Sequence, residues 1–466
     1  MMGASNITAV RPAAKRTATS WLGRALPRMP RLAVPGFITP SLVALGVIAP
    51  SAAVAQTSSL LLPSATTSSD EYDRGHNISV VERPHPEYDA LGVRLGSFIV
   101  NPQLTTSLGY SDNVYNDNAN KKSDVYSSFE PYVNVASDWS VHQLRLTGAA
   151  DIRRFAKQTL RNQDAWNVQG SGRIDVTRDL TVRLDAQANR TYESPFSADV
   201  VANLTVPSRY LSTFLGTRTI YDTGRSRLIG TIDRTSYEFS SVQFADGIDR
   251  DQGYRDRVTY AGTGTYELGF TPSLSLYARL EADRNNYRTA QAFSLPNRDS
   301  NGYRAVFGSN FDIAGVARGT VGIGYSYRRF DANQTYRNTS GMSVEARVDW
   351  FPSELTSVGI LLQRRLIDVD LTNVGSSWDN RIRVTVDHEL LYNLIVTVGG
   401  EVSKREYPER STATNVYRAE VGSRYQITRW LGLGADIGYG SNKPSGAGLG
   451  NPFDELRARF SIRIRR

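Results

Sequence analysis

Polar and apolar side chains alternate with a period of two through most of the chain beyond Val93. In the segment Leu274 to Asp283, Leu274, Leu276, Ala278, Leu280 and Ala282 fall on one face, and Ser275, Tyr277, Arg279, Glu281 and Asp283 on the other. Thr181 to Asn189 repeats the plan, with Val182, Leu184, Ala186 and Ala188 opposite Thr181, Arg183, Asp185, Gln187 and Asn189. Arg381 to Leu390 and Arg457 to Arg465 follow it too. On a helix, charges at every second position would spread over all faces and leave no apolar stripe to bury, so the period selects strand. Each segment has the length of a tilted strand of about 9 to 11 residues crossing a bilayer.

The connections separate a membrane barrel from a soluble sheet protein, because membrane barrels alternate short turns on one side with longer loops on the other. Short connections are predicted near Asp138, Asp179, Asp222, Pro272, Gly315, Pro352, Asn393 and Arg429. Longer polar loops fall between them, at Tyr115 to Asp124, Glu193 to Ser208, Ser240 to Arg255, Thr289 to Ser300, Asp331 to Ser340 and Lys443 to Pro452. A first strand near Gln103 to Tyr110 and a last near Leu456 to Ile464 bring the count to about eighteen, an even number that leaves both ends on the short-turn side. The predicted fold is all-β: a transmembrane antiparallel up-and-down barrel with short periplasmic turns and long extracellular loops.

Tryptophans support this reading, since amphipathic rings concentrate at the two membrane interfaces. Trp139, Trp350 and Trp430 flank short turns, and Trp166 and Trp378 open strands that follow long loops. With the apolar parity facing lipid, Arg183, Asp185, Arg279, Glu281, Asp283, Arg381, Arg383, Asp387, Arg457, Arg459 and Arg463 are the candidate lumen-lining residues. An Arg on the lipid side near mid-membrane would cost about 2 to 4 kcal/mol. A barrel of about eighteen strands holds an aqueous lumen in which these charges stay hydrated or pair with one another. Gly319, Gly322 and Gly324, and Gly432, Gly434 and Gly438, fit curvature and close packing in a barrel wall.

The N-terminus changes the picture in one respect. Of 54 Lys and Arg against 46 Asp and Glu in the 466 residues, six basic residues (Arg11, Lys15, Arg16, Arg24, Arg28 and Arg31) precede residue 56 with no acid. Much of the formal charge of +8 therefore sits in that stretch, and the remainder gives no argument for a nucleic-acid partner. The uncharged run from Leu32 to Ala55 holds Leu42-Val-Ala-Leu-Gly-Val-Ile-Ala49 and ends on Ala53-Val54-Ala55, the plan of a cleaved secretion signal. The expected division is a signal peptide at 1–55, a flexible periplasmic arm at 56–92 and the barrel at 93–466. Translation from Met29 would leave a signal of ordinary length. The arm is rich in Ser, Thr, Pro and Asp, shows no period and is too short for a plug domain.

Little supports an enzyme. Cysteine is absent, and of four histidines His76 and His85 lie in the arm. His142 and His388 share the apolar parity of their strands beside short turns, which marks the periplasmic interface and not a catalytic base. No catalytic residue, metal site or cofactor is expected. The expected partners are outer-membrane lipid and the barrel assembly machinery.

The opening of the barrel, Arg83-Pro-His-Pro-Glu-Tyr-Asp-Ala-Leu-Gly-Val-Arg-Leu-Gly-Ser-Phe98 followed by Gly109-Tyr-Ser-Asp-Asn-Val-Tyr115, resembles the beta-barrel porin type 2 family. The motif residues are Gly92, Arg94, Gly96, Ser97, Phe98, Gly109, Tyr110, Asp112 and Asn113. The resemblance implies residence in the outer membrane of a Gram-negative bacterium. Because several members look tied to exopolysaccharide clusters, it also implies such a cargo and periplasmic polysaccharide export proteins as partners. The chain departs from the usual barrel ending, since Phe460-Ser-Ile-Arg-Ile-Arg-Arg466 lacks a terminal aromatic and leaves Phe460, Ile462 and Ile464 as its lipid-facing residues.

Three functions are consistent with these features. The first is a conduit for export of an exopolysaccharide, suited by an inward face that mixes charges with Ser, Thr, Asn, Gln and Tyr. The second is a general or solute-selective diffusion porin, which a constricting loop at Glu193 to Ser208 or Ser240 to Arg255 would favour. The third is a structural or adhesive barrel whose lumen is closed by its own charges.

Overall fold

The computed structural model describes residues 78–197, 204–244, 247–290, 295–369, 371, 374–446 and 449–466. The expected signal peptide, Met29 and the first part of the arm, 56–77, lie outside them. Eighteen long strands follow one another: β1 (Phe98–Ser111), β2 (Asp124–Ser137), β3 (Gln143–Phe155), β4 (Gln163–Asp175), β5 (Leu180–Tyr192), β6 (Arg209–Asp222), β7 (Ser226–Phe239), β8 (Arg257–Thr271) and β9 (Leu274–Tyr287). The second half is β10 (Ser300–Ile313), β11 (Ala317–Phe330), β12 (Thr339–Ser353), β13 (Thr356–Asp368), β14 (Ser376–Leu391), β15 (Leu394–Tyr407), β16 (Thr412–Gln426), β17 (Leu431–Ser445) and β18 (Phe453–Arg465). Each pairs antiparallel with its neighbours, and β1 closes on β18 from Gln103↔Arg465 to Ser111↔Arg457. Strands of 13 to 16 residues exceed what the hydrocarbon requires, so their ends stand outside it.

Alternation decides the two faces. Along β11, Val321, Ile323, Tyr325 and Tyr327 are exposed while Thr320, Gly322, Gly324, Ser326 and Arg328 are buried. The outward row elsewhere includes Leu280, 68 % exposed, and Phe307, 63 % exposed, a continuous apolar surface that only lipid can cover. Phe460, Ile462 and Ile464 belong to it, paired with Leu108, Thr106 and Leu104 of β1.

The short connections occupy 138–142, 176–179, 223–225, 272–273, 314–316, 354–355, 392–393 and 427–430, one at or beside each predicted position. In the turn after β6, Asp222 Oδ1 accepts the Gly224 N–H at 2.8 Å, and Gly224 takes a φ of +82° that a side chain would strain. On the other side the connections are longer, except 408–411 between β15 and β16. Trp139, Trp350 and Trp430 are half exposed at the short-turn end. Trp378 departs from the girdle. It is buried against Gly341, with the Arg364 guanidinium 4.5 Å from its ring.

The opening motif ties the seam where the barrel closes. Gly92 and Gly96 adopt positive φ around a short strand, Val93–Leu95, that folds back on β1. Arg94 pairs with Asp138 at 2.5 Å, the Ser97 carbonyl accepts the Asp138 N–H, and Phe98 packs on Trp139 at 5.7 Å. At the far end Asp112 accepts the Leu456 N–H at 2.7 Å, and the fully buried Asn113 donates to the Asp454 carbonyl at 2.9 Å. Gly109 leaves room for the Tyr126 ring, and Tyr110 points to lipid.

Candidate functional site

The inner wall of β9 to β13 carries an ion-pair network. Glu345 on β12 receives Arg279 of β9 at 2.5 Å, Arg304 of β10 at 2.7 Å and the Tyr277 hydroxyl at 2.7 Å. Glu281 receives Arg279 at 2.8 Å and Arg304 at 3.1 Å, with Arg365 at 3.9 Å. Tyr277 lies across Gly308 and Gly322, where any Cβ would meet its ring or hydroxyl at 2.4 Å, so these inward glycines are what lets it reach Glu345. Toward the extracellular end, Arg328 bridges Asp283 at 2.6 Å and Asp368 at 3.0 Å.

A second group gathers on β14 to β16. Glu401, buried, accepts hydrogen bonds from Arg383 and Arg418, with Arg381 at 3.9 Å. Three guanidinium groups thus share one carboxylate. Replacing Glu401 with Gln leaves like charges confined together at a cost of about 3 to 5 kcal/mol. The expected result is a lower temperature for the heat-induced mobility shift of the folded barrel on a denaturing gel, and an unchanged temperature would contradict the pairing. Farther along, Arg459 pairs with Asp436 at 3.0 Å and lies 3.8 Å from Glu130.

The wall of β4 to β6 differs. Arg173, Arg183 and Arg218 are direct cross-strand partners in one row, and all three are only half buried. Like charges directly opposite one another destabilise a sheet pair. Asp175 lies 3.3 Å from Arg173, and Asp185 has Arg183 and Arg218 as its electrostatic partners. The row is therefore a partly compensated band of positive charge facing the lumen.

Both ends of the bore are narrowed by chain. At the extracellular end, the chain following β5 reaches β16 to β18, where Phe196 is buried against the inward Val416 of β16 and Phe453 of β18. Gly440 of β17 makes the space, since a Cβ there would lie 2.2 Å from the ring. Leu204 in the same connection bridges to Phe244 in the next loop, and its carbonyl accepts from Arg161 at 3.4 Å. Burial pushes the Arg161 guanidinium down to about 10, opposed by the Glu455 carboxylate.

At the periplasmic end, residues 78–92, expected as part of a flexible arm, are packed into the mouth. Ser79 and the Val80 N–H bond to the inward Ser357 Oγ at 3.2 Å. Arg83 reaches Glu389 at 3.2 Å, His85 lies 3.6 Å from the same carboxylate, and Glu82 lies 3.9 Å from Arg318. The carbonyls of Glu87 and Tyr88 accept from Arg429 at 3.2 Å and Arg465 at 2.6 Å. Val80 is 1 % exposed. The segment runs from the wall of β11 to β14 across to β16 to β18.

All eleven candidate lumen residues lie on the parity opposite the exposed apolar row, buried or half-buried. The structure brings Arg279 and Glu281 together, and likewise Arg381 and Arg383 through Glu401. Arg457 joins Glu455 at 2.6 Å, and Asp387 accepts from Thr397. Their partners Arg304, Glu345, Arg328, Glu401 and Arg418 were missed by sequence reasoning, although Glu401 shares the parity of Ser403 between the exposed Val398 and Val402. His388 is exposed beside Thr356. His142 instead sits in a turn with φ +67°, its Nδ1 accepting the Asp175 N–H, so the strand parity read for it does not apply. Among the described residues, His85, assigned to the arm, is the histidine that the structure buries.

A closed antiparallel barrel with an apolar exterior and a charged interior is an outer-membrane β-barrel channel. The profile of the family described as "Putative beta-barrel porin 2" matches residues 85–466, and the chain belongs to that family. No curated protein matches the chain. Among solved structures it is similar to the outer membrane protein OpdK of Pseudomonas aeruginosa, at 12% identity over 79% of this chain and 99% of that one, with a TM-score of 0.41. OpdO of the same organism gives 12% identity over 80% and 98%, TM-score 0.44. A BenF-like porin from Pseudomonas fluorescens Pf-5 gives 10% identity over 79% and 99%, TM-score 0.42.

Proposed function

We propose that the barrel is a selective diffusion channel for small solutes with a preference for anions. The observation that carries this reading is the connection bearing Phe196, which is anchored on β16 and β18. A conduit for a polysaccharide needs a continuous bore wide enough for a hydrated polymer. The Phe196 connection and the segment 78–92 narrow the bore at both ends and so favour small solutes. The anion preference rests on the row Arg173, Arg183, Arg218, because a low-dielectric wall focuses the field of such a band into the water beside it.

Liposomes holding the purified protein are expected to swell rapidly in small sugars and small organic acids, and not in long oligosaccharides. Uptake that is independent of saccharide length would support the polymer conduit instead. Replacing Arg183 and Arg218 together with Gln is expected to lower the anion-to-cation permeability ratio roughly two- to fivefold, since this removes two of the three charges that concentrate anions. Reversal potentials in a salt gradient measure that ratio, and an unchanged value would remove the row from the selectivity mechanism.

A further inference from the structure

The channel reading makes no use of His85, whose ring is buried where the segment 78–92 meets the wall of β14. The ring stands edge-on to Tyr392, with centroids 5.0 Å apart, and the backbone N–H donates to the Asp89 carboxylate at 2.6 Å. Its Nε2 is buried without a hydrogen-bond partner among the described residues, 3.6 Å from the Glu389 Oε2. A buried polar atom left in this state calls for an explanation.

Glu389 has room for a second donor. An ionised carboxylate offers about four lone-pair positions, and among the described residues the side-chain donor it holds is Arg83, at 3.2 Å. A neutral imidazole at this separation makes a long contact only. Once protonated it is a cationic N–H beside a carboxylate, and the shorter, stronger charge-assisted bond closes the gap. Histidine is the side chain whose charge ordinarily changes between about pH 5 and 8.

The other charges near the ring are already engaged. Within the segment, Glu82 faces Arg318 of β11 at 3.9 Å, Arg83 is on Glu389, and Glu87 is exposed. On the other side of His85 is a cavity of about 320 Å³, which it lines with Tyr88 and Asp89 from the segment, Tyr132 of β2, Arg424 of β16, and Arg465 and Arg466 at the chain end. Arg424 has Asp387 and Asp436 as electrostatic partners. Arg465 has Asp89, and it donates to the Arg429 and Tyr88 carbonyls. The cavity has room for water, which carries protons to the ring.

We propose that His85 is an acid-sensitive clasp: protonation of its imidazole ties the segment 78–92 to Glu389 across the periplasmic mouth, so that the barrel conducts less as the pH falls. The bond belongs to the protonated form, so the hold is full at low pH and is lost as the pH rises. The effect on current rests on the channel reading, whereas the tightening of the segment does not.

The test reads the two separately. The chain contains no cysteine, so Glu87→Cys supplies a unique thiol on an exposed position two residues past His85. A nitroxide attached there, in protein reconstituted into lipid vesicles, reports the motion of the segment through its electron paramagnetic resonance line shape. The lines are expected to be broader at about pH 5 than at about pH 8. The current through unlabelled protein in planar bilayers is expected to fall about twofold over the same change. His85→Gln removes the titrating group and is expected to abolish both responses. Glu389→Gln removes the acceptor and should reach the same result by an independent route, each variant keeping its heat-modifiable mobility. His388→Gln removes the exposed neighbouring histidine and should leave both responses in place. A line shape that ignores pH, a response that survives His85→Gln, or one that vanishes in His388→Gln would overturn the clasp. A label that responds while the current does not would uphold the clasp and count against the segment's place on the conduction path.

Discussion

Phe196→Ala raises the single-channel conductance of the barrel roughly twofold or more, because the side chain is the anchor that holds the chain following β5 against β16 and β18. The ring is buried between Val416 and Phe453, over Gly440, with the Arg418 guanidinium 5.8 Å from its centre. Truncating a buried Phe typically costs about 3 to 5 kcal/mol, and here that loss falls on the docking of a connection and not on the barrel ladder. The loop should therefore release while the strands stay paired. Gly440→Leu offers the complementary route to the same state, since its side chain would occupy the place of the ring. Planar-bilayer recordings of both variants read the effect, and two conductances equal to that of the parent would mean that the loop does not limit the current.

Deleting residues 78–91 gives the second large effect. The segment crosses the periplasmic mouth on bonds to Ser357, Glu389, Arg318, Arg429 and Arg465. Each interaction is individually modest, about 0.5 to 1.5 kcal/mol net for a hydrogen bond, but together they hold the segment in one place. Without it the mouth widens and the conductance rises. The hairpin from Gly92 to Phe98 that starts β1 is left intact, so the barrel is expected to assemble. A milder version, Glu389→Gln, removes the carboxylate shared by Arg83 and His85 and is expected to add flickering openings. Deletion with no change in current would mean that the segment lies beside the permeation path and not across it.

The barrel was legible in the sequence because its signal is local. A period of two needs only a few consecutive residues to express itself, and turn chemistry such as Asp222 to Gly224 lies within one connection. The eight short turns and the inward parity of Arg183, Arg279, Arg383 and Arg459 follow from that. The pairing of those charges does not. Arg279 and Glu345 are separated by 66 positions in the chain, and they meet across the wall beside Tyr277, which lies over the inward Gly308 and Gly322 of β10 and β11.

The two constrictions show the same limit differently. The loop from Glu193 to Ser208 could be named as a candidate from its length, but its anchoring on β16 and β18 depends on barrel closure, which brings the two ends of the chain together. The N-terminal segment reads as polar and without period. Its burial comes from a few side chains and backbone groups, Val80, His85 and the Tyr88 carbonyl among them, each fitted to one point of the rim.

The most direct test is the current through single molecules of the purified protein in planar bilayers under a potassium chloride gradient, with a long neutral oligosaccharide added to either side in turn. Small, steady conductance steps, a reversal potential on the anion-selective side and no saccharide block that deepens with chain length are expected. A wide, unselective conductance, or a block that strengthens as the saccharide lengthens, would contradict a small-solute channel and favour a polymer conduit.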